Sequence, residues 1–226
     1  MNSFAIVLAI FGIVVQSVFI VVEHRKRYVL SVILKGTASV LFCAIGAIAL
    51  CMAAMNQSFA RLIVLGLCFG ALGDILLNLR FVFPANGQRF FLAGVVAFLT
   101  GHVLYLCAIV PLSQNLLLCI VIGAILAAAL LAGIFKVLTV KPVFKIFGVL
   151  YLGAIVLMTT VAIGNVITAP RASAWLHAAG GVLFSLSDIV LIFNTFGKEQ
   201  KFSMRIANLT LYYLGQLLIT FSLFYI

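Results

Sequence analysis

Charged side chains are scarce in this sequence, and acidic ones are the scarcest. Asp, Glu, Lys and Arg together make up 8% of the 226 residues, and only four residues are acidic. Soluble globular domains carry about 25% charged residues. Because 66% of the residues are also hydrophobic, the composition excludes a soluble domain and predicts a polytopic membrane protein.

The usual marks of metal and cofactor sites are missing as well. The five cysteines are scattered through apolar runs, so they predict neither a disulfide framework nor a metal site. The three histidines fall at different predicted depths and cannot converge on zinc. No phosphate-binding loop and no Gly-x-Ser-x-Gly motif is present. We therefore expect neither a cofactor nor a metal ion.

Long apolar runs take up most of the chain. A spanning helix needs about 20 predominantly apolar residues, and on that count the sequence predicts an all-α bundle of eight transmembrane helices in one domain covering residues 1–226. Ser113-Gln114-Asn115 separates spans four and five. The predicted spans are Phe4–Val22, Val29–Met55, Leu62–Leu79, Phe90–Leu112, Leu116–Leu138, Val143–Thr168, Ala172–Phe196 and Ile206–Ile226.

The basic residues predict how the bundle is oriented. Eleven of the fourteen lie in odd-numbered loops or within three residues of them, and only Arg61 and Arg171 belong to even-numbered loops, while Lys35 lies inside span two. The positive-inside rule therefore predicts cytoplasmic odd-numbered loops and both termini on the non-cytoplasmic side. Because these bases occupy short loops and not one exposed face, the net charge of +10 does not indicate a nucleic-acid partner.

Two of the four acidic residues lie inside predicted spans. Asp74 in span three and Asp188 in span seven each follow a small residue and begin the pattern Asp-Ile-x-Leu. An ionisable group at membrane depth is costly and usually marks a pathway or a reaction centre. The alternative is that both carboxyl groups brace helices, either by pairing with Lys35 or by staying protonated and hydrogen-bonded. Because the two spans run in the same direction four helices apart, the motif also suggests a parallel four-plus-four repeat.

Three charged residues are predicted to share one layer of the membrane. The helical rise places Lys35, Asp74 and Asp188 roughly 9 to 15 Å from the cytoplasmic ends of their helices. A lysine beside two acids suits a phosphate-bearing substrate, although Lys35 could instead snorkel to the interface. Asn78 lies on the face of Asp74, one turn further along span three.

Four other polar side chains are within reach of this layer. His102 and Tyr105 share a face of span four, and the alternative for His102 is a buried histidine held by one hydrogen bond. Tyr213 and Gln216 lie in the first half of span eight. We therefore predict a pocket that opens towards the cytoplasm, with Asp74 and Asp188 as its catalytic residues. Its predicted substrate-binding residues are Lys35, Asn78, His102, Tyr105, Tyr213 and Gln216.

Five groups of residues carry a resemblance to a known family. In chain order they are Lys35, Gly73-Asp74, Phe98 with His102 and Tyr105, Phe184-x-x-Ser187-Asp188, and Tyr212-Tyr213-x-Gly215-Gln216-x-Leu218. Together they resemble the lysoplasmalogenase family of integral membrane proteins, the YhhN-like family. One departure is Gly36, which stands where the family usually has proline after the lysine. That departure concerns the local helix geometry and not the charge.

The resemblance implies hydrolysis of the vinyl ether bond of lysoplasmalogens, which releases a fatty aldehyde and a glycerophospho-ethanolamine or glycerophosphocholine. The residues fit this chemistry, because a protonated carboxyl can protonate the β-carbon while an ionised one stabilises the cation and activates water. We expect Asp188 to be the proton donor and Asp74 the carboxylate. The expected partners are a lysophospholipid substrate and membrane lipid, in a cell or inner membrane.

Two other functions use a pair of intramembrane aspartates. An intramembrane aspartyl protease usually carries Gly-x-Gly-Asp, and that motif is incomplete around Asp74. A proton-coupled transporter would use the same acids as a relay and the repeat for alternating access. Against a transporter, no span is clearly broken by paired glycine and proline, as discontinuous binding helices usually are.

Overall fold

The computed structural model describes residues 2–53 and 56–226. Over these ranges the chain forms eight α-helices, with no strand, and all eight are long and apolar enough to cross a membrane. The predicted all-α fold of eight transmembrane helices is therefore confirmed. The helices are α1 (Ser3–His24), α2 (Tyr28–Met52), α3 (Gln57–Val82), α4 (Gly87–Ile109), α5 (Leu116–Val137), α6 (Pro142–Thr168), α7 (Ala172–Phe196) and α8 (Phe202–Ser222).

Most helix boundaries lie close to the predicted span ends, and the differences have a simple cause. α3 begins at Gln57 and α8 at Phe202, each about one turn before the predicted span. Hydropathy marks only the apolar part of a helix, whereas the backbone hydrogen bonds continue through polar residues at the membrane surface. The predicted break at 113–115 separates α4 from α5. The predicted end of span two at Met55 lies outside the described residues.

Two helix pairs pack so closely that their backbones touch. A Cβ atom on Gly101 of α4 would lie 2.9 Å from the carbonyl oxygen of Gly66 in α3. Likewise, a Cβ atom on Gly180 of α7 would lie 2.7 Å from the carbonyl oxygen of Gly215 in α8. Small residues permit this close approach between helices in a membrane. The two pairs are four helices apart, as the predicted repeat would place them, although the repeat itself stays a prediction.

The remaining contacts arrange the helices as a ring. α2, α3, α4, α6, α7 and α8 each pack against the next, and α8 contacts α2 to close the ring. α1 packs outside it against α2 and α8, while α5 packs against α6. Large apolar side chains cover the outer surface, as shown by Leu117 at 76% exposure and Ile167 at 78%. The polar residues gather inside the ring, which is where a membrane protein places its functional groups.

Candidate active site

A cavity inside the ring contains both intramembrane aspartates. It lies between α3, α4, α6, α7 and α8 and reaches Lys35 of α2. Asp74 is 4% exposed and Asp188 3% exposed. Phenylalanine and aliphatic side chains from α3, α4, α6 and α7 supply much of the apolar wall. The polar residues in the lining are Lys35, Asp74, Asn78, Arg80, Tyr151, Asp188, Thr195, Arg205, Asn208 and Tyr212.

Asp74 is bound by three donors from two neighbouring helices. The Lys35 ammonium lies 3.3 Å from Oδ1. The Ser39 hydroxyl donates to Oδ2 at 2.5 Å, and the Tyr212 hydroxyl donates to the same oxygen at 2.7 Å. Charge-assisted hydrogen bonds of this kind stabilise an ionised carboxylate. The site thus places a carboxylate bound by three donors on the α2 and α8 side of the cavity.

Lys35 points into the bundle. Its side chain is 1% exposed, so it does not snorkel to the membrane surface. Besides the ion pair with Asp74, its ammonium donates to Gln16 Oε1 at 3.2 Å and lies 4.4 Å from the centre of the Tyr212 ring. The Lys35 ammonium thus already has three partners within the protein. The phosphate-binding role of Lys35 stays a prediction, and the structure adds a direct role beside Asp74.

Asp188 has a much poorer set of partners. The Tyr151 hydroxyl of α6 donates to Oδ2 at 2.6 Å. Within the described ranges, the carboxyl group has no second hydrogen-bond partner and no ion pair. Over the same residues Asp74 thus has the lysine partner of the bracing alternative, and Asp188 has its hydrogen bond without the lysine. The two acids share one cavity but differ in their electrostatic surroundings.

Asn78 adds an acceptor one turn beyond Asp74. Its amide Nδ2 donates to the backbone carbonyl of Asp74 at 2.8 Å. Its Oδ1 is buried and has no hydrogen-bond partner in the described part of the chain. Because Asn78 lines the cavity, this oxygen can accept a hydrogen bond from a bound molecule. A buried amide oxygen without a partner is otherwise costly.

The other four predicted substrate-binding residues lie behind the cavity wall. His102 is held by its Nδ1 at 2.7 Å from the Phe98 carbonyl, as the alternative for this residue proposed, and its ring packs on Phe184. Tyr105 donates to Gln216 at 2.9 Å. The remaining contacts tie α8 to its surroundings: Gln216 Nε2 donates to the Tyr212 hydroxyl at 3.4 Å, and Tyr213 donates to the Ala38 carbonyl at 3.0 Å. Their substrate-binding role stays a prediction.

Several residues of the site are not among those predicted from the sequence. Ser39 lies one turn after Lys35, so helical spacing could have found it. Tyr212 belongs to the span-eight motif, but the motif gave it no predicted role in the site. Tyr151 belongs to no motif and lies in a span without any acid, so nothing in the sequence points to it. Arg80 is one of the eleven basic residues that predict the orientation of the bundle, and it also lines the cavity. Among the residues that the structure describes, no three His, Cys, Asp or Glu side chains lie together so that they could hold a metal ion.

The site lies within the part of the chain that matches a protein-family model. The family model described as the YhhN family matches residues 30–223, a stretch that contains every residue lining the cavity. No curated protein and no solved structure matches the chain.

Proposed function

The chain belongs to the YhhN family, and from that premise we propose that it is a membrane-embedded hydrolase that cleaves the vinyl ether bond of lysoplasmalogens. One observation carries the proposal: two carboxyl groups line one cavity, one bound by an ammonium and two hydroxyls, the other by a single phenol. Acid-catalysed vinyl ether hydrolysis needs one proton donor and one group that stabilises positive charge. Carboxyl groups in unequal surroundings can divide these tasks.

The walls of the cavity suit a single-chain lipid. Phe91, Phe98, Phe144 and Phe184 contribute apolar surface from α4, α6 and α7. A hydrocarbon chain can lie against such a wall while convergent polar groups orient the polar end, as in other ligand sites. The substrate would place its vinyl ether beside the carboxyl groups and its headgroup towards the basic residues near the ends of α3 and α8.

Asp188 supplies the proton in this mechanism. Because a phenol is the only hydrogen-bond donor to Asp188 among the described residues and much of the cavity wall is apolar, the neutral acid is the form that this position accommodates. Tyr151 donates to Oδ2, which leaves Oδ1 to carry the proton towards the substrate. The proton forms a bond with the β-carbon of the vinyl ether, using the electron pair of the C=C bond. The α-carbon and the ether oxygen then share the positive charge as an oxocarbenium ion.

Asp74 stabilises this cation as an ionised carboxylate and orients the attacking water. Water adds to the α-carbon, and the proton that it loses passes to the Asp188 carboxylate and restores the acid. The resulting hemiacetal then collapses: its hydroxyl proton is transferred to the ether oxygen as the carbon–oxygen bond breaks. One water is consumed, and a fatty aldehyde and a glycerophospho-alcohol are released. Lys35 keeps Asp74 charged throughout.

A second cavity favours one alternative function, a proton-coupled transporter. This cavity lies at the opposite ends of the helices and is lined by His177, Asn165 and Arg171 among others. Between the two cavities lies the hydrogen bond from Tyr105 to Gln216. Access from both ends is what alternating access requires. The cavities differ in their acids, however, because both aspartates line only the first.

The proposal is tested by product analysis with purified protein. We expect aldehyde from a 1-alkenyl lysophospholipid and no product from its alkyl ether or ester analogue, because only the vinyl ether gives an oxocarbenium ion on protonation of carbon. A preparation of the Asp188→Asn variant controls for contaminating activity. Folded wild-type protein that releases no aldehyde, but moves protons across a vesicle membrane when lysolipid is added, would favour the transporter.

A further inference from the structure

Three cationic side chains line the cavity, and among the described residues only one of them has no hydrogen-bond or ion-pair partner. Lys35 pairs with Asp74 at 3.3 Å. Arg205 donates from Nε and Nη2 to Glu23 at 2.9 and 2.6 Å. Over residues 2–53 and 56–226, the Arg80 guanidinium has neither a hydrogen bond nor an ion pair, and its Nε is buried. Arg80 as a whole is half-buried, but a buried N–H donor without an acceptor is costly, so this position is suited to an anion that the protein itself does not supply.

The Arg80 side chain is nevertheless held in place by aromatic rings. Its guanidinium carbon lies 4.6 Å from the centre of the Phe81 ring and 5.1 Å from that of Phe91. A guanidinium on an aromatic face is stabilised by the cation–π interaction. Stacking leaves the N–H groups at the edge of the guanidinium plane free. Those groups match the oxygens of a phosphate in a bidentate arrangement.

Arg80 lies where the cavity meets a second, more polar one, here called the mouth cavity. The mouth cavity occupies the same ends of the helices and is lined by Lys26, Lys201 and Arg205 in addition to Arg80. Its only acidic residue within the described ranges is Glu23, which Arg205 already binds. The mouth cavity therefore has an excess of positive charge with Arg80 at its inner end.

We infer that Arg80 binds the phosphate group of the substrate headgroup, an inference that rests on the proposed function. The spacing along α3 supports it. Arg80 follows Asp74 by six residues, which is about 9 Å along the helix axis. In a lysoplasmalogen six bonds separate the α-carbon of the vinyl ether from the phosphorus atom, or about 7 Å of extended chain. In the proposed mechanism the vinyl ether lies beside Asp74, so Lys35, at 3.3 Å from Asp74, would lie next to the reacting bond. This inference therefore assigns the phosphate to Arg80 in place of the predicted Lys35.

The test compares two substrates and two matched variants. The substrates are a 1-alkenyl lysophosphocholine and the 1-alkenylglycerol with the same chain, which lacks the phosphate. In Arg80→Gln we expect kcat/KM for the phospholipid to fall roughly tenfold to a hundredfold, through KM, as lost charge-assisted hydrogen bonds do. Activity on the alkenylglycerol should stay near the wild-type value, which also shows that the variant is folded. Arg89→Gln is the control, because Arg89 is exposed and lines neither cavity.

Direct binding separates this inference from the proposed activity. The probe is an alkyl-ether lysophosphocholine, which has no vinyl ether to cleave, titrated calorimetrically into protein in detergent beside the alkylglycerol and inorganic phosphate. We expect the lysophosphocholine to bind more tightly than the alkylglycerol, and Arg80→Gln to remove the difference. If wild-type protein hydrolyses neither substrate but shows this difference in binding, the proposed activity is wrong and the phosphate site is supported.

Three results would overturn the inference. Equal losses of kcat/KM on both substrates would indicate that Arg80 has a structural role. No loss on either substrate would show that Arg80 does not bind the phosphate. Inorganic phosphate that binds as tightly as the lysophosphocholine would identify a free anion, and not a lipid headgroup, as the occupant. Lys35→Met provides a further contrast, because we expect it to lower activity on both substrates alike.

Discussion

The Lys35 ammonium and the Asp74 carboxylate form an ion pair at 3.3 Å, with side chains that are 1% and 6% exposed. Removing one partner of a buried pair leaves an uncompensated charge, and the loss of stability is about 3 kcal/mol or more. We therefore expect Lys35→Met to unfold at a clearly lower temperature in detergent than the wild type. The double variant Lys35→Met/Asp74→Asn should recover part of the loss, since it removes both charges. Equal stability of the single and double variants would contradict a strong pair.

The two aspartates should act as an unequal pair in catalysis. Asp74→Asn and Asp188→Asn keep the side-chain volume but remove the charge or the acid, so each should lower kcat at least about a hundredfold. Because the residues work as a unit, the double variant should be little worse than the worse single one. Glu199→Gln serves as the control, since Glu199 is exposed and lies outside the cavity. Correctly inserted Asp→Asn variants with near-normal aldehyde release would return both residues to a bracing role.

The close packing of α7 on α8 can be tested with a single methyl group. In Gly180→Ala the new Cβ atom would lie 2.7 Å from the Gly215 carbonyl oxygen, a backbone atom that cannot move without its helix. Overpacking of this kind costs about 1–3 kcal/mol, so the melting temperature should fall. Gly133→Ala is the matched control, because nothing lies within 4 Å of its new Cβ atom. The control should be neutral or stabilising by up to about 1 kcal/mol, the helix propensity difference. A melting temperature for Gly180→Ala equal to that of the control would contradict the backbone contact.

The eleven-to-two distribution of basic residues between odd and even loops predicts the orientation of the bundle. Reporter domains fused within loop three or loop seven should be found in the cytoplasm, and reporters at either terminus on the far side. The cavity and the mouth cavity would then open towards the cytoplasm. A cytoplasmic carboxyl terminus would reverse the orientation and place the site on the opposite face of the membrane.

Much of the candidate site could be predicted because charged groups are rare inside a membrane. Asp74, Asp188, Lys35 and Asn78 were all identified from the sequence, and all four line the same cavity. Their depth followed from counting residues along each helix. Tyr151 was missed because a tyrosine in an apolar span is common, and only its position opposite Asp188 distinguishes it.

The number of helices and their approximate ends were determined by the sequence alone, because a hydrocarbon layer admits only helices whose apolar length matches its thickness. Which acid pairs with Lys35 was decided only by the tertiary structure. Lys35, Asp74 and Asp188 share one predicted layer, so depth alone allows either pairing. The rotation of α2 against α3, set by side-chain packing between them, directs the ammonium to Asp74. α6 brings Tyr151 to Asp188 from 37 residues away in the chain. Contacts between helices distant in sequence depend on how the helices pack and on how each is rotated about its axis. The hydrophobic pattern of a single helix does not specify either.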